Sequence, residues 1–332
     1  MFHNFAPMPI IESHFNRPSL LLNGHWETVY PAIFRKPKPL PFVRRELTLS
    51  DGDFIEVDYL QNGNSKVALL LHGFEGSSQA QYIQGAGNVL KDVGYDLVAI
   101  NYRGCGGKAN KLLRGYHIAD TQDVTELINH IIESFDYKTM VMVGFSFGGS
   151  VTLKYLGENG NNVPSIIKAA FTASVSTDLR GMSNQLNKPK NYFYQQRFFK
   201  RMKQKMKQKE ALMKAAGYNV NDFNKHKTFN ALDGWFTCPM YGFKNPEEYY
   251  EVGSPDNYIG EITIPTMLVN AKNDPFLSET CFPVDLANQN ANFYLQIPQH
   301  GGHCGFTQQN NSTISYAEQM MIEFFDKQLK KI

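Results

Sequence analysis

The stretch TMVMVGFSFGG, residues 139–149, decides how this chain is read. Its first five residues are apolar or β-branched without a break, and a glycine ends the run. That is the pattern of a strand buried on both faces. The segment after it, SVTLKYLG, reads as a helix that ends at Gly157. Between them Gly144-Phe145-Ser146-Phe147-Gly148 spells G-x-S-x-G. On a sharp strand-to-helix turn the serine hydroxyl projects above the sheet. Strand and helix then nearly touch, so the residues two positions away must be small. Gly144, Gly148 and Gly149 meet that need, and Ser146 is the candidate nucleophile. The plain alternative is a Gly-Ser turn without chemistry, since the pentapeptide alone is common.

The bulk properties are ordinary for a soluble globular protein. A chain of 332 residues buries a large core, either as one α/β domain or as one with an insertion. Net charge is only +2, too small to imply a nucleic-acid partner. Cys105, Cys238, Cys281 and Cys304 have no C-x-x-C spacing and are too few for a disulfide framework, so a reducing compartment is expected. The first residues lack a charged-then-apolar signal pattern, and no apolar run reaches bilayer-spanning length. A soluble, cytoplasmic protein is the expectation.

Residues 1–40 carry six prolines, which argue against long helices. Their recurring aromatic and aliphatic residues suggest an arm packed on the main domain. VRRELTLS and DFIEVDYL alternate around Asp51-Gly52 and read as a hairpin with one exposed face. KVALLLHG and YDLVAINY are continuous apolar runs, typical of central parallel strands. Further strands are read over residues 166–176, 262–274 and 291–298. Helices are read over 78–93, after Asp120, and over 314–329. This alternation implies an α/β fold: a mostly parallel sheet with helices on both faces. The core comprises residues 41–178 and 260–332. Residues 179–259 break the alternation and are too long for a loop, so they read as an inserted helical cap. Within the cap, Phe198, Met202, Met206, Leu212 and Met213 form an apolar stripe. Lys200, Arg201, Lys203, Lys205, Lys207 and Lys209 crowd the other faces, most simply as a solvated surface.

A serine needs a base, and the base needs an orienting partner. Asp274 follows a strand on the same rim as Ser146 and is the candidate acid. A helix N-cap before Pro275 is its plain alternative, and Asp178 is the second choice. His303, in Pro298-Gln299-His300-Gly301-Gly302-His303, is the candidate base, because the two glycines let the loop turn inward; His300 competes. A zinc site of His300, His303 and Cys304 lacks a fourth ligand. The backbone N–H groups of Phe147 and Phe74 are the candidate oxyanion donors. His72 reads as a structural hydrogen bonder, and Cys105 as part of a turn. The cap aromatics Tyr192, Phe193, Tyr194, Phe198, Phe199, Trp235 and Phe236 are candidates to line an acyl pocket.

Four further stretches carry a resemblance: residues 23–31 (NGHWETVYP), 72–77 (HGFEGS), 101–105 (NYRGC) and 300–306 (HGGHCGF). With the G-x-S-x-G turn and Asp274, they resemble in order the YheT-like branch of the α/β-hydrolase superfamily. Vertebrate α/β-hydrolase-domain lipases and yeast medium-chain ethyl-ester synthase/esterases belong to the same superfamily. The chain departs at Trp26-Glu27, where Leu-Gln is commoner, and at Phe147, where Leu is usual. The resemblance implies hydrolysis of short- to medium-chain esters, without cofactor or metal, on a small-molecule or lipid substrate. Acyl transfer to an alcohol is the alternative on the same residues. A non-enzymatic alternative is a binding module whose basic cap helix grips nucleic acid or an anionic membrane surface. Weak membrane contact through that helix is also compatible with an esterase.

Overall fold

The computed structural model describes residues 9–309 and 313–330. Their nine strands form one sheet. They are β1 (Ile10–Ile11), β2 (Val43–Thr48), β3 (Phe54–Leu60), β4 (Lys66–Leu71) and β5 (Asp96–Asn101), then β6 (Thr139–Phe145), β7 (Ile167–Ala173), β8 (Thr266–Val269) and β9 (Phe293–Gln296). Their spatial order is β1-β9-β8-β7-β6-β4-β5-β3-β2. Strands β4 to β9 and β1 run parallel, whereas β3 is antiparallel to both β2 and β5.

Alternate residues of the central strands enter opposite cores. Leu69 and Met142 join one cluster, and Leu70 and Val143 the other. This is why these strands read as unbroken apolar runs. Helices α2 (Gln81–Asp92) and the final helix (Tyr316–Leu329) cover one face; α3 (Gln122–Ser134) and α4 (Phe147–Asn159) cover the other. The chain leaves β4 through α2 to β5 on one side, and leaves β6 through α4 to β7 on the other. The loops after β4 and β6 therefore diverge above the sheet. An open α/β sheet forms its crevice at such a switch point.

Four local expectations need correction. The arm is not without a sizeable helix: Gly24–Phe34 forms the three-turn helix α1, with Pro31 inside it. Asn23 caps it by accepting from the N–H groups of His25 and Trp26, and its Gly24, Glu27, Thr28 and Pro31 face is buried. That packing offsets the missing bond at Pro31. The hairpin is not half exposed at β3, because β3 lies between β2 and β5 and is buried throughout. Its acidic residues are held by cations, as Asp58 is by Arg44 Nε at 2.7 Å. Helix α4 runs past Gly157, where a side chain would strike the Tyr258 backbone, and ends before Gly160 at φ +47°. The basic cap residues are not uniformly solvated, as shown below.

From Leu179 to Ile259 the chain is helical or irregular. It begins with α5 (Leu179–Leu186), capped by Asp178, and continues with α6 (Tyr192–Gln208). Leu212, placed by sequence in the apolar stripe, is exposed because α6 breaks at Lys209. Two residues past the end of β5, Arg103 is buried between three carboxylates. It makes a bidentate pair with Asp123 (2.9 and 2.7 Å) and contacts Asp51 (2.7 Å) and Asp53 (3.2 Å). Substituting Arg103→Met leaves Asp53 and Asp123 buried without their cation. Stability should fall by about 3–5 kcal/mol, read as a lower urea midpoint; an unchanged midpoint contradicts this account.

Candidate active site

Ser146 sits between β6 and α4 with φ +52° and ψ −121°, a conformation that L residues enter at a cost of about 1–3 kcal/mol. The surroundings hold it there. A side chain at Gly144 would strike the backbone of Gly148 and Gly149, and one at Gly148 would strike the carbonyl of Leu71. Backbone bonds from Ser146 N–H to Ala173 O (2.9 Å) and from Ser150 N–H to Ser146 O (3.0 Å) fix the turn on either side.

Three sequence candidates meet at this turn. Ser146 Oγ lies 2.9 Å from His303 Nε2, and His303 Nδ1 lies 2.8 Å from Asp274 Oδ2. The carboxylate makes Nδ1 the protonated nitrogen, which leaves Nε2 free to accept from the serine. Asp274 is buried, and its other oxygen accepts from Phe276 N–H at 2.8 Å. Its local turn and its contact with His303 thus coexist. Burial opposes the imidazolium, but the Asp274 carboxylate outweighs that and raises the His303 pKa above its ordinary 6.5. Phe276 covers the imidazole, with ring centroids 4.0 Å apart.

The competing candidates are occupied elsewhere. Asp178 caps α5 and accepts from Thr280 Oγ1. His300 is partly exposed and faces Glu27 and Asn273. Among the described residues no three His, Cys, Asp or Glu side chains converge as a metal site. His72 is buried: its Nδ1–H donates to Gly73 O (2.7 Å), its Nε2 accepts from Tyr102 N–H, and burial lowers its pKa to about 3. It stays neutral and shapes the loop after β4. In that loop the N–H groups of Gly73, Glu75 and Gly76 are bonded to Tyr82 Oη, Tyr116 Oη and Gly73 O. Phe74 N–H is the remaining donor of the turn, and its ring contacts that of Phe147.

A cavity of about 200 Å³ is lined by Ser146, Phe74, Phe147 and Phe276. Of the aromatic residues assigned to it from sequence, Phe198 and Phe236 do line it. The others do not. Tyr192 and Phe193 are exposed at the start of α6, whereas Phe199 and Trp235 pack with Phe223 inside the helical excursion. Tyr194 stacks on His25 and meets Phe276 edge to face. Four methionines, Met182, Met202, Met206 and Met213, also line it. A helix periodicity marks which residues are apolar, but not which of several apolar neighbours the helix turns toward the cavity.

Two residues of α1 were missed as part of the site. Thr28 Oγ1 accepts from His303 N–H at 2.9 Å, and the buried Glu27 carboxylate accepts from Gly301 N–H and, at 3.1 Å, from Asn273 Nδ2. The contact is tight: side chains at Gly24 and Gly302 would strike the backbones of Asn273 and α1. The signal available was the resemblance carried by residues 23–31, which was read only as part of an arm packed on the main domain. Three of the six basic residues singled out above also turn inward: Arg201 and Lys205 of α6, and Lys209 just past its end. Arg201 donates to Glu75 O, Lys205 to Glu75 Oε1 (2.9 Å), and Lys209 to Leu112 O (2.6 Å). Spaced by four, they share one face, and it docks on the core.

Residues 67–308 match the family described as the α/β-hydrolase fold. The chain belongs to the α/β-hydrolase family. This α/β-hydrolase is 30% identical over 303 residues to the phospholipase ABHD3 of Bos taurus, covering 84% of this chain and 73% of that protein. It is 28% identical over 295 residues to the putative esterase YheT of Escherichia coli (strain K12), covering 86% and 84%. Its fold is similar to that of the Pyrococcus furiosus esterase Pf2001, with TM-score 0.58 and 16% identity over 89% of this chain and 98% of that one.

In the folded protein the His303 imidazole should titrate above 6.5 by NMR. Asp274→Asn removes the charge that holds it up, so the same resonance should then titrate lower. An unchanged titration would show that Asp274 does not set the pKa.

Proposed function

We propose that this α/β-hydrolase is a serine esterase acting on short- to medium-chain acyl esters. The observation that carries the reading is the unbroken chain of hydrogen bonds from Ser146 Oγ through His303 to Asp274. In this reading Ser146 Oγ attacks the ester carbonyl while its proton passes to His303 Nε2, and Asp274 stabilises the imidazolium. The backbone N–H groups of Phe147 and Phe74 take up the charge on the tetrahedral oxygen, each contributing about 3 kcal/mol to the transition state. Collapse expels the alcohol, protonated by His303, and leaves the acyl group on Ser146. Water then attacks the acyl-enzyme with His303 as base, which restores the serine.

Residues 179–259 act here as a cap over the acyl group. The four methionines in the cavity wall support an apolar and adaptable acyl site, because thioether side chains repack readily. Each buried methylene contributes about 0.8 kcal/mol, so four more carbons bring roughly 3 kcal/mol of preference. The two relatives, a phospholipase and a putative esterase by name, agree with ester substrates. A binding-module reading of α6 is disfavoured by the inward docking of Arg201, Lys205 and Lys209.

Ser146→Ala should lower p-nitrophenyl butyrate hydrolysis by at least about 10³-fold and abolish fluorophosphonate labelling; hydrolysis at the parent rate ends the proposal. His303 accepts a proton only when neutral, and its pKa is raised. The profile of kcat/KM should therefore climb with pH to a midpoint above 6.5 and fall away as acid protonates the imidazole. A midpoint at or below 6.5 would contradict that assignment.

A further inference from the structure

Helix α1 has two faces with different surroundings. The inner face, Gly24, Glu27, Thr28 and Pro31, is buried against the loop that carries His303. The outer face is apolar and open: Trp26 is 55% exposed, Tyr30 42%, Ile33 57% and Phe34 62%. These positions follow one helical stripe. Leu20 and Leu22, just before the helix, are more exposed still, and so is Phe193 at the start of α6. The two elements touch, because His25 stacks on Tyr194 with ring centroids 5.8 Å apart. Tyr194 in turn packs on Phe276, which covers His303. Scattered apolar side chains are normal on a surface, but a contiguous patch of this kind marks an interaction site.

The charges around the patch say what kind. Residues 14–40 and 187–200 contain one carboxylate between them, Glu27, and it is buried. Lys36, Lys38, Lys188 and Lys190 are all exposed, and Lys190 is close enough to act electrostatically on His25. A second copy of this chain on the same patch would set lysines against lysines, because a two-fold interface is self-complementary. Indole and phenol rings flanked by cations suit the headgroup region of a bilayer, where apolar bodies bury and ammonium groups meet lipid phosphate. Among the described residues no helix is long and apolar enough to cross a membrane.

We propose that the outer face of α1, with the start of α6, docks on the surface of an anionic lipid bilayer. The rings of Trp26, Tyr30, Phe34 and Phe193 enter the headgroup layer, and the lysines rest on lipid phosphates. The contact lies on α1 rather than on the basic stripe of α6, half of which faces the core. A consequence that rests on the ester-hydrolase reading follows. The helix held by the bilayer is the helix that orders the His303 loop, so docking places the active serine at the surface where lipid esters reside.

The chain has two tryptophans, so Trp235→Phe leaves Trp26 as the single indole reporter. With phosphatidylserine–phosphatidylcholine vesicles, Trp26 emission should move to shorter wavelength and be quenched by brominated lipid. The parent protein should co-sediment with these vesicles, and less so with phosphatidylcholine alone. The double substitution Ile33→Glu and Phe34→Glu should cut the bound fraction about tenfold or more. Its hydrolysis of dissolved p-nitrophenyl butyrate should stay within about twofold of the parent, as expected of exposed positions. Trp26 emission indifferent to vesicles, or a double variant that still sediments with them, overturns the proposal. So does a vesicle-free dimer that the double variant dissolves, since the patch would then belong to a second copy. If the parent binds vesicles but hydrolyses no ester, the docking surface stands and the hydrolase reading falls.

Discussion

The close approach of β6, α4 and the end of β4 constrains everything above the sheet. Gly144, Gly148 and Gly149 have no room for a side chain, and within that contact Ser146 is held at φ +52°. A serine in an ordinary helical or extended conformation would point along the sheet or into it. Held here, its hydroxyl reaches the crevice where the chain switches direction. The loops after β4, β8 and β9 arrive at the same rim because parallel strands all end there.

The second constraint comes from the other end of the chain. His303 lies in a loop with two positive-φ glycines, Gly301 and Gly302, which gives it little intrinsic preference for one shape. Helix α1 supplies that shape. Thr28 and Glu27 satisfy backbone donors of the loop, and Asn273, beside Asp274, ties the two together through Gly302 N–H and the Glu27 carboxylate. Asp274, His303 and the arm therefore form one hydrogen-bonded unit. Buried polar groups of this kind are specific because any one left unpaired costs about 1–3 kcal/mol.

Charge is handled in a similar way. Arg103 is buried among Asp51, Asp53 and Asp123, and Arg201, Lys205 and Lys209 pin α6 to the loops after β4 and β5. The cations that remain outside on α6 are fewer than its composition suggests. An open apolar surface lies instead on α1, which also orders the loop that carries His303.

Much of this was legible in the sequence. Unbroken apolar runs marked β4, β5 and β6, since a strand buried on both faces leaves no room for polar alternation. The glycines around Ser146 marked the tight turn, and strand ends followed by Asp274 and His303 put both on one rim. The two glycines before His303 favoured it over His300, and its place directly after a strand favoured Asp274; in the fold these two side chains hydrogen-bond to each other. Other features were out of reach of local pattern. A proline-rich arm forms α1 only because the core covers its inner face. Glu27 and Thr28 gain their partners from residues more than 240 positions away. Which aromatic rings and which lysines of α6 face inward depends on where the helix breaks and what it lies on. Periodicity fixes the faces of a helix, while its direction toward the core is a property of the whole packed chain.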